Sequence, residues 1–397
     1  QFGHFTMLGD GRAIMLGEHL TPRKKKRFDV QLKGSGKTPF SRSGDGRAAL
    51  EPMLREYIIS ESMHALGIPT TRSLAVVTTG EEVIRETSLP GAILTRVAES
   101  HIRVGTFEFV AAQKQVNVLQ NLIKYTINRH FKELSETKNP ALTLFKAVRN
   151  KQADLIVNYM RVGFIHGVLN TDNVAVSGES IDYGPCAFMD YYDPKTKFSS
   201  IDHGGRYSYG NQPLIAKWNL ARFAETLIPL IDIDLNKAVE ILEVEVNKFS
   251  EIYKKKNFEM LKKKLGINGN IDEDNSLINQ ILKWMIEKKV DFTNTFKDLT
   301  NNTLNKSCYQ DLDFRKWNDL YQNRNPNRKI MKNFNPQIIP RNHQVEEALK
   351  EAGNSNLKPF HDLLKILQEP YKISEAQKKY QEPMPISNKL YQTFCGT

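Results

Sequence analysis

The stretch HGVLNTDNVAVSGESIDYG, His166 to Gly184, decides how the rest of the chain reads. His166 stands seven residues before Asn173, Asp172 precedes that Asn, and Asp182 opens a DYG triplet nine residues farther on. Asn and Asp side chains offer the hard oxygens that Mg²⁺ prefers. Mg²⁺ also keeps few protein ligands and completes its octahedron with phosphate and water. Asn173 and Asp182 therefore read as a metal-binding pair, set against the plainer reading of a structural loop.

Upstream of this stretch, short β-like segments dominate the first hundred residues: AIMLGEHL, RFDVQLKG, SLAVVTT and GAILTRVAE. A single helix is expected among them, EPMLREYIISESMHALG, with Pro52 in its first turn, Gly67 at its end and Pro69 beyond. From Phe107 the apolar spacing turns helical, in EFVAAQKQVNVLQNLIKYTINRHF and LFKAVRNKQADLIVNYMRVGF. The Tyr-, Ser- and Gly-rich segment YYDPKTKFSSIDHGGRYSYGNQP follows the DYG triplet and reads as a long functional loop. Beyond Asn236 the chain is amphipathic and helical, with Lys254–Lys256 and Lys262–Lys264 read as solvated faces. The expected organisation is a β-rich unit over 1–106, a mainly helical unit over 107–235 and a helical extension over 236–397.

The order of these pieces matches protein kinases, whose HRDxxxxN pattern also places His seven residues before a metal-binding Asn and is followed by DFG. One residue departs: the Asp that kinases carry two places after the His is Val168 here. Lys33 ends a strand-like segment and Glu56 lies in the only early helix, the order of the kinase Lys–Glu ion pair. A carboxylate on an apolar helix face needs a cation if buried, so Glu56 is expected to pair with Lys33. The prediction is an α+β, protein-kinase-like bilobal fold with a small β-rich N-lobe and a larger helical C-lobe. Two phosphate-loop look-alikes are rejected. GSGKT at Gly34–Thr38 has Gln31 where the first Walker Gly should stand, with Pro39 where a helix should start. GDGRAIMLG, for its part, lacks a third Gly in register. Gly9 and Gly11 still suit a turn where backbone approaches a ligand.

Composition bounds the partners. The 397 residues carry a net charge of +11, and residues 1–150 hold 22 Lys+Arg against 14 Asp+Glu, leaving +3 to the rest. The first part thus favours an anionic ligand. The dense basic run Arg23–Arg27 lacks interleaved aromatics and reads as a solvated hairpin tip, so nucleic acid is the least favoured partner. No apolar run is long enough to span a membrane. Cys186, Cys308 and Cys395 have no metal-ligand spacing and cannot build a disulfide framework, which suits a reducing compartment. The first residue is Gln1, within what reads as strand and turn, which suggests a natural N-terminus farther upstream.

With these motifs assembled, the segments QLKGSGKTPFSRSGDGRAAL, HALGIPTTRSLAV, HGVLNTDNVAVSGESIDYGP and DHGGRYSYGNQP closely resemble the selenoprotein O family of protein adenylyltransferases. The resemblance implies a kinase-like fold that binds ATP in reversed orientation and transfers AMP to Ser, Thr or Tyr hydroxyls of proteins, this chain included. It implies Mg²⁺, with Mn²⁺ as a substitute, held by Asn173 and Asp182. By matching motif, Gly9, Gly11, Arg12, Lys33, Asp45, Gly46, Arg96, Arg103 and Asp182 would contact ATP, with Glu56 pairing Lys33 and Asp172 acting as catalytic base. Arginine suits such a site because it is permanently charged and bidentate. The implied location is cytoplasmic in a bacterium and mitochondrial in a eukaryote. Relatives in eukaryotes end near a selenocysteine, whereas this chain carries Cys395, which leaves a redox role for the tail as a separate expectation. Two alternatives use the same residues: a γ-phosphotransferase releasing ADP, and an ATP-binding pseudokinase without turnover.

Overall fold

The computed structural model describes residues 11–393 apart from 24, 42–43, 270–272, 373 and 386–390. Gly9 and Cys395 lie outside the described residues. Strands β1 (Ala13–Leu20), β2 (Arg27–Lys33), β3 (Arg72–Ile84) and β4 (Ser88–Ala98) form one antiparallel sheet in the order β1-β2-β4-β3. Helix α1 (Leu50–Ala65) crosses between β2 and β3 and packs on the sheet. Its buried stripe is Met53, Leu54, Ile58, Ile59 and Met63, and burying side chains of this size stabilises by roughly 1.5–3 kcal/mol each. Gly67 takes φ +75°, so its N–H meets His64 O at 2.9 Å while Ile68 N–H meets Met63 O at 2.9 Å. That left-handed stop ends the helix where Gly67 was expected to.

The inward row of β2 is polar. Asp29, Gln31 and Lys33 are buried, while Phe28, Val30 and Leu32 on the opposite row are only half-buried. In β4, Arg96 shares its inward row with Ala92, Leu94 and Ala98, and it pairs directly across from Gln31. A strand that buries its polar face must supply partners for it. Those partners form the site described below.

The helical part follows as α2 (Val104–Ala112), α3 (Val116–His130) and α4 (Pro140–Val162). The helical run expected from Phe107 is thus two helices, the first starting at Val104, with Lys114 at φ 56° making the break. Next come β5 (Phe164–Ile165) and β6 (Ala187–Phe188), a short antiparallel pair whose connection is the His166–Gly184 stretch. Helices α5 (Gln212–Leu227), α6 (Leu235–Leu265), α7 (Glu273–Lys288), α8 (Phe292–Asn301), α9 (Leu312–Asn323), α10 (Arg328–Phe334), α11 (Asn342–Gly353) and α12 (Lys358–Leu367) complete the chain. This is the expected kinase-like arrangement of a small sheet lobe and a larger helical lobe. No helix among the described residues is long and apolar enough to cross a membrane.

One expectation is overturned in α6. Lys262 and Lys264 are buried, at 5% and 1% exposure, where a solvated face was expected. Lys264 Nζ donates to Arg161 O at 2.8 Å and lies over the rings of Phe292 and Phe296 at 4.8 and 4.1 Å. Burial first, and Arg161 second, push its pKa well below the usual lysine value. The faces of these rings, with the Arg161 carbonyl, line the place of the amine.

Helices α11 and α12 lie against α1. Arg55 pairs with Glu346 of α11, and Tyr57 meets the Phe360 ring of α12 edge-on at 5.9 Å. Arg341, only 1% exposed, joins Asp291 at 2.6 Å and Asp190 at 2.5 Å, tying the loop after β6 to the C-terminal helices. Removing one partner of a buried ion cluster strands the others without counter-charge, at a cost of about 3–5 kcal/mol. Arg341→Met is therefore expected to lower the unfolding free energy obtained from urea titration by an amount in that range. A loss below about 1 kcal/mol would mean that Asp190 and Asp291 are neutralised or hydrated at little cost.

Candidate active site

The His166–Gly184 stretch is held by amide side chains of α5 and by its own His and Asn side chains, most of them bonded to backbone. Gln212 of α5 accepts from His166 N at 3.1 Å and donates to Phe164 O at 2.9 Å, while Asn219 donates to Leu169 O at 3.0 Å. His166, fully buried and shifted toward neutrality by that burial, faces Ile181 O through Nε2 at 2.9 Å. It therefore splices the His166 end of the loop to the residue before Asp182. Asn170 Oδ1 accepts from Asp172 N at 3.1 Å and caps the turn Thr171–Asn173. Asn173 Nδ2 donates to Val168 O at 2.8 Å, leaving Oδ1 as the side chain's acceptor.

A cleft of about 460 Å³ between the two lobes brings together most of the expected residues: Gly11, Arg12, Lys33, Arg96, Arg103, Asp172, Asn173 and Asp182 all line it. Behind the cleft wall, Glu56 is 2% exposed. It accepts from Lys33 Nζ at 2.8 Å and from Arg96 Nε at 2.7 Å. Asp182, with φ +68°, accepts from Lys33 and from Arg96 Nη2, the latter at 3.3 Å. Burial alone would raise both carboxyls, but Arg96 and Lys33 hold Glu56 below the usual range, and Lys33 and Arg96 hold Asp182 far below it. Two carboxylates and two cations thus form one charged cluster inside the protein. Arg103 caps α2 and donates from Nη1 to Asp172 O at 3.0 Å.

Asp45 and Gly46 are not among the lining residues. Asp45 accepts from Arg85 at 2.9 and 3.1 Å, and Gly46, at φ +70°, packs over Gly36 and accepts from its N–H at 3.1 Å. That stacked turn supports Gly11, whose backbone oxygen accepts from Ser41 Oγ at 2.5 Å. A Cβ on Gly46 would come within 2.0 Å of Gly36 O, so the position requires glycine.

Asp29 and His101, which no sequence motif marks, also line the cleft. Asp29 accepts from His101 N at 2.9 Å and from Arg129 Nη2 at 2.7 Å, and it faces His101 Nδ1 at 3.4 Å. Burial would raise the Asp29 carboxyl, but the His101 bonds and Arg129 lower it; burial also lowers His101. The signal was present in β2, where Asp29, Gln31 and Lys33 alternate on one face of a strand beside an expected site. Arg96, on the inward row of β4, is 2% exposed.

The segment before α2 pairs with the turn after the catalytic loop, through Val104 N to Val174 O at 2.9 Å and Val176 N to Ile102 O at 3.0 Å. Glu179 completes the seam, accepting from Glu99 N and Ser177 Oγ, both at 3.0 Å. Burial and the Glu99 charge push the Glu179 carboxyl up to about 8.

In chemical terms the cleft offers fixed cations for an anion, two side-chain oxygens for a divalent ion, and a carboxylate in the Thr171–Asn173 turn. No group of three or more His, Cys, Asp or Glu suited to a metal occurs among the described residues. The Asn173–Asp182 pair matches an ion that takes its other ligands from phosphate and water. Fold and cleft are those of the protein-kinase-like transferases. A sequence model of the family described as protein adenylyltransferase SelO matches residues 1–368. The protein nucleotidyltransferase YdiU of Pelagibacter ubique is 55% identical, across 100% of this chain and 84% of its own length. The protein nucleotidyltransferases YdiU of Bacillus cereus and Bacillus anthracis are each 56% identical, across 100% of this chain and 83% of theirs. The chain belongs to the SelO family of protein adenylyltransferases.

The Glu179 seam makes stability pH-dependent. Its folded pKa lies above the usual 4.5, so its contribution is complete below that value and is lost as pH rises through about 8. Wild type is expected to lose more Tm between pH 5 and pH 8.5 than Glu179→Gln, which cannot ionise. Parallel Tm profiles for the two proteins would show that Glu179 is already charged at pH 5.

Proposed function

We propose that this chain transfers AMP from ATP to hydroxyl groups of proteins and releases pyrophosphate. The observation that carries the reading is the placement of Lys33, Arg96 and Arg103 on one cleft with Asp172, Asn173 and Asp182. The cleft that would bury a neutral base in an ordinary kinase here carries the Arg96 guanidinium, anchored by Glu56. Such an interior favours a triphosphate pointing inward, the reversed orientation, because fixed cations replace the water that the phosphates lose.

Asn173 Oδ1 and Asp182 are the residues that would hold Mg²⁺ or Mn²⁺, which neutralises phosphate charge when bound. Asp172 accepts the proton of the incoming Ser, Thr or Tyr hydroxyl as its oxygen bonds to the α-phosphorus. The bond from the α-phosphorus to the oxygen bridging the β-phosphate breaks, and the electron pair leaves with pyrophosphate. Lys33, Arg96 and Arg103 stabilise that charge without moving, since Glu56 and the backbone already hold them. Arg12 and Gly11 border the same cleft and contribute a backbone-lined edge; Asp45 and Gly46 act by shaping the turn beneath it. The acceptors are proteins with accessible hydroxyls, this chain's own included. Its cysteine usage fits a reducing compartment, the cytoplasm in a bacterium; of the described cysteines, Cys186 is buried and Cys308 half-buried, and neither is in a disulfide.

Incubation with ATP labelled at either the α- or the γ-phosphate tests the reading. Label is expected on protein only from the α position, with pyrophosphate as co-product. Asp172→Ala is expected to lower the rate by roughly 10²–10⁴, and Arg96→Leu by roughly 10²–10³. Transfer of γ label would make the chain a kinase, and equal labelling by wild type and Asp172→Ala would remove Asp172 from the chemistry.

A further inference from the structure

We propose that the cationic hollow between the β1–β2 hairpin and the C-terminal end of α3 docks an acidic stretch of the protein acceptor. The proposal rests on the transferase reading above, which requires a protein to be held beside the cleft. The hollow has a volume of about 500 Å³, and its wall carries Lys25, Lys26, Arg27, Arg129 and Lys132 against one carboxylate, Glu99. Lys25, Lys26 and Lys132 are exposed, and none of their ammonium groups has an acidic partner among the described residues. The two arginines are different, since both bind Glu18. Set against Glu99, the three lysines still leave a net positive charge for a ligand to neutralise.

The hairpin presents its lysines on fixed backbone. Thr21 N donates to Lys26 O at 2.8 Å, Lys25 N donates to Thr21 O at 3.0 Å, and Lys26 N donates to Thr21 Oγ1 at 3.0 Å. Backbone held at Thr21, Lys25 and Lys26 before binding loses less freedom there when the ligand arrives. His130, which also lines the hollow, is pushed down to about 4 by burial and by Arg129, so it adds no charge near neutrality. The lysines alone set the sign.

The hollow and the cleft share a wall. Arg129 lines the hollow and holds Asp29 at 2.7 Å and Glu99 O at 2.7 Å; Asp29 and His101 line the cleft on the other side. An acceptor anchored here would place its neighbouring residues at the mouth of the site. Nucleic acid fits less well: among the described residues of the wall Tyr125 is the one exposed aromatic ring, and it is tied to Glu18 at 2.8 Å, so no row of exposed rings is offered for stacking.

The test uses the full chain and two peptides that share one central Ser, one flanked by a run of Glu and the other by a run of Gln. Fluorescence anisotropy gives Kd without any transfer, and α-labelled ATP gives kcat and KM. The Glu peptide is expected to bind about tenfold more tightly at low salt, since several weak exposed ion pairs combine. The advantage should shrink as NaCl is added and should sit in KM rather than kcat. The variant K25E/K26E/K132E is expected to lose the preference while turning over the Gln peptide as wild type does. Equal Kd values for the two peptides, or a preference that survives the triple variant, would overturn the docking site. A single-stranded RNA that outcompetes the Glu peptide and loses binding in the triple variant would overturn it as well, assigning the hollow to nucleic acid. Intact peptide preference with no α-label transfer would instead count against the transferase reading alone.

Discussion

Everything on the cleft's inner wall depends on one carboxylate, Glu56, shared between Lys33 and Arg96. Two cations this close repel strongly in a medium poorer than water, and each would be expensive to bury alone. Glu56 supplies charge to both from behind, and Asp182 supplies it from the front. The cluster also ties α1, through Glu56, to the paired strands β2 and β4, through Lys33 and Arg96. A shift of α1 along its axis would take Glu56 from both cations at once and leave Asp182 to serve the two.

That dependence gives the C-terminal helices a bearing on the cleft. Arg55, the neighbour of Glu56, is bound by Glu346 of α11, and Tyr391 Oη reaches the same Glu346 carboxylate. Tyr57, on the other side of Glu56, packs on Phe360 of α12. Helix α1 is thus held from outside by residues contributed from the far end of the chain. An isolated lobe comprising only the sheet and α1 would lack these contacts.

Much of this arrangement was legible in the sequence because it rests on local rules. Pro52 and Gly67 bracket α1, and the His166–Asn173–Asp182 spacing reads directly as a kinase-like loop. The less legible features are long-range. Nothing near Lys264 in sequence announces Phe292 and Phe296, so a basic run at a helix end reads as solvated although two of its three lysines are buried. Asp29 and His101 escaped notice for a related reason: each is unremarkable alone, and only β-sheet register and the approach of Arg129 from α3 place them on the cleft. Arg96 and Arg103 became legible through family motifs, since a strand arginine and a loop arginine carry no spacing signal of their own.

Val168 occupies the place where a kinase carries its Asp, yet that position is not idle, because its carbonyl aligns the Asn173 amide. Orientation of the Asn is entrusted to the main chain, which every residue type provides. The side chain at 168 is thereby released from any duty toward its neighbour. A lineage could exchange it, and with it the atom that abstracts a proton, without rebuilding the oxygen pair beyond. The loop behaves as a modular part, in which the reaction performed and the framework that supports it can evolve separately.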